Sequence, residues 1–207
     1  MKAVYIERFG GPEVLIYGDL ADPVAAPGEV VVNVFATSFN AADWKVRLGQ
    51  YKQTKFPLGL GRDFSGIVSA VGDGVVDLAL GDPVFGVLEA GREGAHAERV
   101  AIKAAIVAKK PDDLSHVDAA ALALIGITAI SAIEDTLKLR HGETILIQGG
   151  AGGVAGFAIQ LAKHIGARVI TTTSAANSAY VRDLGADEII DYNTQDFTRA
   201  VSNCDAV

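Results

Sequence analysis

Ile147-Gln148-Gly149-Gly150-Ala151-Gly152-Gly153-Val154-Ala155 is the stretch on which the reading of this chain turns. Within it Gly150-x-Gly152-x-x-Ala155 fits G-x-G-x-x-G/A. Thr144 to Gln148, just before it, reads as a short buried strand, and Gly152 to Ile165 reads as a helix rich in Ala, Leu and Ile. In this setting Gly150 is expected to allow the tight turn and Gly152 to let the backbone approach a pyrophosphate. Ala155 is expected to keep the helix close to the strand. The helix N-terminus, with Gly153 and Val154 in its first turn, offers unpaired N–H groups and a positive dipole end to an anion. A glycine-rich turn that serves packing alone is the competing reading. The order strand, loop, helix, strand favours a dinucleotide.

Outward from the loop the chain alternates. Ala167 to Thr173 reads as a second strand, Asn177 to Leu184 as a second helix and Glu188 to Asp191 as a third strand. Asp196 to Val201 would be a third helix, leading into a fourth strand at Asp205-Ala206-Val207. Alternation at this spacing predicts an α/β parallel sheet of Rossmann, doubly wound type. The pattern stops in its fourth strand, so the sheet is expected to be truncated after its third or fourth strand.

A site that prefers NADH usually ends its second strand with an Asp or Glu that holds the ribose 2′-hydroxyl. Here that stretch reads Thr171-Thr172-Thr173-Ser174-Ala175-Ala176-Asn177, with no acid. NADPH is therefore the expected cofactor, and Ser174, Asn177 and Tyr192 are the candidates for its 2′-phosphate.

The first 110 residues or so have another texture. Val30 to Phe35, Ser65 to Val71 and Pro83 to Val87 are short β-branched runs punctuated by glycines, which predicts a small barrel-like or sandwich domain. The content turns helical after Pro111-Asp112-Asp113. Two domains are expected, residues 1–125 and residues 126–207.

Composition narrows the partners. The 207 residues are half hydrophobic and carry a formal charge of −7, which argues against nucleic acid and against an anionic membrane surface. The run from Ala119 to Ile133 falls short of the roughly 20 residues that span a bilayer and reads as buried helix. Cys204 is the only cysteine, so there is no intrachain disulfide and no cysteine-rich zinc lobe, and a cytoplasmic location is the default. Four scattered histidines, His96, His116, His141 and His164, are expected on the surface or in loops, and no metal site is expected. Ser65 in Gly61 to Gly66 lacks G-x-S-x-G spacing and reads as a strand or turn residue.

Several separated motifs, in order, resemble one family. They are Pro27-Gly28-Glu29-Val30, Asn40-x-x-Asp43-x-x-x-Arg47-x-Gly49, Gly61-Arg62-Asp63-Phe64-Ser65-Gly66, Val71-Gly72-x-Gly74-Val75 and Gly81-Asp82-x-Val84-x-Gly86. Gly94-x-x-Ala97-Glu98, Ile127-Thr128-Ala129, Gln160-Leu161-Ala162-Lys163 and Leu184-Gly185-Ala186-Asp187 complete the set. Together they resemble the N-terminal two-thirds of the quinone oxidoreductase (zeta-crystallin-like) branch of the medium-chain dehydrogenase/reductase superfamily. The resemblance implies a GroES-like barrel followed by the Rossmann half, and a zinc-independent, NADPH-dependent reductase of a small quinone or α,β-unsaturated carbonyl, working as a homo-oligomer. Zinc-dependent relatives carry a Cys near position 40 and a His near position 62; this chain has Asn40 and Arg62.

Ser38 to Arg47 resembles the Asn-Pro-x-Asp-x-Lys pattern of members that reduce enones and quinones, with Ala41 in place of the proline. By that resemblance Asn40 would bond the nicotinamide ribose and Lys45 would stabilise the developing oxyanion. Tyr51 would line the acceptor pocket and Thr128 would meet the nicotinamide edge. Plainer readings stand beside these. Lys45 and Arg47 could be solvated partners of Asp43, and Tyr51 could cap the Phe56-Pro57 turn. The alternative reading of the whole chain is a truncated, catalytically incomplete nucleotide-binding fragment.

Overall fold

The computed structural model describes residues 1–51, 55–89 and 91–207. By its internal contacts the chain divides into two compact units, Met1–Leu124 and Ile125–Val207.

The first unit is a curled antiparallel half-barrel. Its five-stranded sheet contains β3 (Glu29–Thr37), β5 (Asp63–Val71), β6 (Pro83–Val87), β7 (Arg99–Lys103) and β8 (Val107–Lys109), in the order β7-β3-β5-β6-β8. A three-stranded sheet is formed by β1 (Lys2–Ile6), β2 (Ile16–Asp19) and β4 (Leu58–Gly59), with β1 in the middle. Two β-branched residues of β3, which lies between two partner strands, close the core: Val30 and Val32 are buried in one cluster with Phe64, Val68, Val84 and Ile102, and Val31 between them is buried as well. A smaller core of Ile6, Val14, Val46, Leu58 and Leu60 seats the short helix α1 (Ala41–Arg47).

Ser65 lies on β5, as its sequence suggested, and is fully buried. Its hydroxyl donates to the Val84 carbonyl at 3.0 Å and stands 2.7 Å from Nδ1 of His116. One hydroxyl has one hydrogen, so Nδ1 of His116 must be the donor toward Ser65. The His116 ring also stacks on Phe35, with centroids 4.9 Å apart. His116 is therefore not the free surface histidine expected from sequence; it opens the helix α2 (His116–Ile130) and anchors it to the sheet.

A π-helical stretch, Ser131–Leu137, continues α2, and the two together make 22 helical residues. That corrects the shorter span read from the apolar run. By length and composition it is the one helix among the described residues that could cross a membrane, and a third of its most apolar window is buried within the protein. Ala129 and Ile133 from it enter the core of the second unit.

In the second unit β9 (Thr144–Ile147), β10 (Arg168–Thr173) and β11 (Glu188–Asp191) form a parallel sheet in the order β11-β10-β9. Ala206 bridges in parallel to Ile145, so a fourth strand begins on the far side of β9. Its first residues are tied down: the Asp205 carboxylate accepts the Thr144 N–H at 2.8 Å. Reading across, the order is third, second, first, fourth, the arrangement of a doubly wound nucleotide-binding sheet. The helices α3 (Gly153–Ile165), α4 (Ser178–Asp183) and α5 (Phe197–Ala200) connect the strands. Ile145, Ile147, Ile159, Ala162, Val169 and Val181 make the principal core, while Leu146, Ile170 and Ile190 form a second cluster with Phe197. Such two-faced burial explains the near-continuous apolar runs of β9 and of Val169-Ile170. Asp187 joins these layers, accepting from Val169 N–H at 2.7 Å and from Lys163 at 2.8 Å.

Candidate functional site

The glycine loop joins β9 to α3. Gly149 carries the left-handed backbone, φ +69°, so the tight turn falls one residue earlier than the sequence reading placed it. Gly150 is required for a different reason: a Cβ there would overlap the Thr171 hydroxyl of the neighbouring strand. Gly152 has an extended backbone, and only the Gly149 carbonyl, at 3.3 Å, lies near the place of a Cβ. A Cβ there would press on that carbonyl more tightly than an ordinary contact, and no side chain among the described residues stands over the position. Gly149, Gly152, Gly153 and Val154 are exposed. Among the described residues no acceptor for the N–H groups of Gly153, Val154 and Ala155 is found, as expected at a helix start. Ala155 is partly buried against the core, but a tight approach of the helix to its surroundings comes one residue later, where a Cβ on Gly156 would meet Leu184 at 3.3 Å. That glycine falls outside the motif, and sequence reasoning missed it.

At the far end of β10, Ser174 begins a single 3-10 turn, Ala175–Asn177, and the Asn177 amide reaches the Ser174 hydroxyl at 3.4 Å. Tyr192 follows β11, with its N–H on the Thr173 carbonyl at 3.3 Å and its side chain exposed. The three residues proposed for a 2′-phosphate thus gather at one end of the sheet. One acid was missed: Asp191 pairs in register with Thr173. Its Oδ1 is engaged by both the N–H and the side-chain amide of Asn193, each at 3.0 Å. Thr128 belongs to this unit too, exposed on the half of α2 that packs at the start of α3. Ile125 lies 3.2 Å from the Cβ position of Gly153, and Gly126 sits beneath the Phe157 ring.

The other candidates lie in the first unit, around a buried polar knot. Asn40 precedes α1, and its side-chain amide donates to Asp63 at 2.9 Å and to the Ser38 hydroxyl at 3.3 Å. Asp63, completely buried, also accepts from the Ser38 N–H at 3.1 Å and the Ser38 hydroxyl at 2.6 Å. Asp43 is buried on the first turn of α1, accepting the Asn40 N–H at 2.7 Å. Burial, more than any neighbouring charge, raises its carboxyl above the ordinary range, and Asp63 adds to the effect. Its Oδ1 and the Arg62 Nε are the buried side-chain atoms left without a hydrogen-bond partner among the described residues.

His96 completes the knot and contradicts the expected surface placement. The ring is buried, lies 4.7 Å from that of Phe39 and donates from Nε2 to the Ser38 carbonyl at 3.1 Å. Nothing near His96 in sequence signals this, because the residues that enclose it come from positions 38 to 43 and 60 to 61.

Asp43 is not the partner of Lys45 or Arg47. The Lys45 ammonium lies 5.5 Å from the centre of the Trp44 ring, and Arg47 donates to the Gly10 carbonyl at 3.2 Å. Asn40 and Asp43 border a mainly apolar cleft of about 570 Å³ with Phe39, Trp44, Tyr17 and His96. Lys45 and Tyr51 stand apart from that lining; Tyr51 is exposed, and Phe56, which it was thought to cap, packs edge-on against Phe9.

Residues 26–112 match the alcohol dehydrogenase GroES-like domain, and residues 153–204 match the zinc-binding dehydrogenase domain. The chain belongs to the medium-chain dehydrogenase/reductase family. Among family members it is 36% identical to the 2-methylene-furan-3-one reductase of Solanum lycopersicum, over all of this chain and 56% of that protein. The quinone oxidoreductase of Coxiella burnetii superposes with a TM-score of 0.92 at 37% identity, covering 98% of this chain and 65% of that one. The Escherichia coli quinone oxidoreductase, solved in complex with NADPH, gives a TM-score of 0.90 at 32% identity over 97% and 61%. The chain therefore spans a little over half to about two-thirds of the length of these relatives.

Proposed function

We propose that this member of the family is an NADPH-dependent oxidoreductase that reduces a small quinone or α,β-unsaturated carbonyl without zinc. The observation that carries the proposal is the exposed glycine loop at the start of α3, whose first-turn N–H groups have no acceptor among the described residues. Oriented amides at a helix N-terminus bind a pyrophosphate, and Gly152, exposed and without a side chain, leaves the backbone accessible to its close approach. NADPH over NADH follows from the strand end, where Ser174, Asn177 and Tyr192 supply hydroxyl and amide groups. The carboxylate in register with Thr173, that of Asp191, has its Oδ1 engaged by Asn193. Support also comes from the E. coli relative, solved with NADPH, and from the tomato relative, a reductase.

When bound, NADPH supplies the hydride; the chain supplies binding, orientation and charge. Gly153, Val154 and Ala155 hold the pyrophosphate through their N–H groups. Asn40, its amide anchored on Asp63, is assigned to the nicotinamide ribose, and Thr128 to the nicotinamide edge. Lys45 is assigned to the oxyanion that develops on the reduced acceptor, and Tyr51 to the wall against the acceptor ring.

Zinc does not fit the residues at the positions where zinc-dependent relatives bind it. The Asn40 amide is spent on Asp63 and Ser38, and Arg62 places a guanidinium, a positive charge without lone pairs, where a ligand would be needed.

The test has two stages. Quenching of Trp44 and tyrosine fluorescence on titration with NADPH reads binding. Oxidation of NADPH at 340 nm in the presence of a benzoquinone or an enone then reads turnover. Absence of quenching, checked by calorimetry, would remove the proposal.

A further inference from the structure

The end of β10 is unusual for a strand enclosed on both faces, where apolar β-branched residues normally sit. Thr171, Thr172 and Thr173 are only 0%, 5% and 2% exposed. A buried hydroxyl is costly unless hydrogen-bonded, so its partners indicate why it is there. Thr171 donates to the carbonyl of Ile147, the last residue of β9, at 2.6 Å. Thr172 reaches further, into the glycine loop itself. Its hydroxyl oxygen accepts the Gly149 N–H at 3.0 Å, and its backbone carbonyl accepts the Gly150 N–H at 2.9 Å. The Gly149 carbonyl in turn accepts the Gly152 N–H at 2.8 Å. One residue of the neighbouring strand therefore holds the first two amides of the loop, and through Gly149 it sets the third.

We propose that Thr172 is a positioning residue of the dinucleotide site, clipping the glycine loop into the shape that aims the first-turn amides of α3 at the pyrophosphate. This rests on the nucleotide-binding reading above. The side chain acts through Gly149 and need not touch the ligand. Without the clip Gly149, already at a positive φ, samples other conformations, and the apparent affinity falls with the fraction of loops in the competent one. The preceding threonine does not duplicate this role, since its hydroxyl is directed to β9.

The experiment compares the 207-residue chain with Thr172→Val, which keeps the shape and removes the acceptor, and Thr172→Ser, which keeps the oxygen. NADPH affinity is measured by calorimetry, and 2′-AMP, which has the 2′-phosphate but no pyrophosphate, is measured by ligand-observed NMR. The loss of one hydrogen bond corresponds to NADPH binding roughly three- to tenfold weaker in Thr172→Val. Thr172→Ser should stay within about twofold of the parent and 2′-AMP affinity should be unchanged in both. Unaltered NADPH affinity in Thr172→Val overturns the positioning role while leaving the nucleotide reading intact. Equal loss in the serine variant, or parallel loss of 2′-AMP binding, also overturns it, by showing general damage. A parent chain that binds no NADPH removes the nucleotide reading and this role with it.

Discussion

The Thr171 hydroxyl occupies the space that a Cβ on Gly150 would need. The glycine at the head of the motif is thus demanded by a neighbouring strand of the protein, whereas at Gly152 only the Gly149 carbonyl, 3.3 Å away, stands near that position.

Gly150→Ala should therefore destabilise the fold by about 1–3 kcal/mol, the usual cost of forcing a methyl into a filled site. Trimming the obstacle should offset it. In a double-mutant cycle with Thr171→Ala, urea unfolding should give a favourable coupling on the order of 1 kcal/mol. Additive losses would show that Gly150 is needed for its backbone and not for this contact.

Placing a carboxylate at the end of β10 should reverse the cofactor preference. Ser174→Asp is expected to weaken NADPH by repelling its 2′-phosphate and to strengthen NADH by accepting from the 2′-hydroxyl. The ratio of the two dissociation constants should shift on the order of tenfold or more, equivalent to about 1.4 kcal/mol. An unchanged ratio would mean that the ribose lies elsewhere.

Stability should depend on Asp43 in a particular direction. A carboxyl raised in the folded chain binds its proton more tightly there than when unfolded. It therefore stabilises the fold below the ordinary value of 3.8, and that contribution is lost as pH climbs through the folded value. His96 and Arg62 oppose the shift, while Asp63 reinforces it. Asp43→Asn, which keeps an oxygen for the Asn40 N–H, should gain on the parent as pH rises above 3.8, a difference readable in melting temperatures across pH 4 to 8. A constant difference at every pH would show that the carboxyl titrates normally.

Lys45→Ala should lower reductase turnover on the order of a hundredfold with little effect on NADPH affinity, as expected for loss of one oxyanion donor. Equal turnover would leave Lys45 as a surface cation over Trp44.

Much of the architecture was legible in the sequence because it depends on local pattern. β6 at Pro83–Val87 and β11 at Glu188–Asp191 fall where their β-branched runs ended, and the strand order of the second unit agrees with the βαβ alternation. The glycine loop was legible as a motif but not residue by residue. Which glycine turns the chain and which one packs depends on Thr171, more than twenty positions away and carrying no sign of its contact. The same holds for the polar knot. Asp43 and Asn40 stood out by their neighbours in the motif, but His96 looked isolated, since burial by segments distant along the chain leaves no periodic trace. Asp191 was overlooked because register, not sequence distance, brings it beside Thr173.

The link between Ser65 and His116 has a consequence for the first unit's behaviour in acid. Because the hydroxyl hydrogen goes to Val84, Nδ1 of His116 carries its hydrogen already, and a second proton can add only at Nε2. Burial first, and Lys110 second, lower the pH at which that happens. The tether between helix and sheet is the same bond in both charge states. Acidification changes the charge on this ring without reversing the bond, and because burial disfavours that charge in the folded chain, protonating the ring costs the fold some stability.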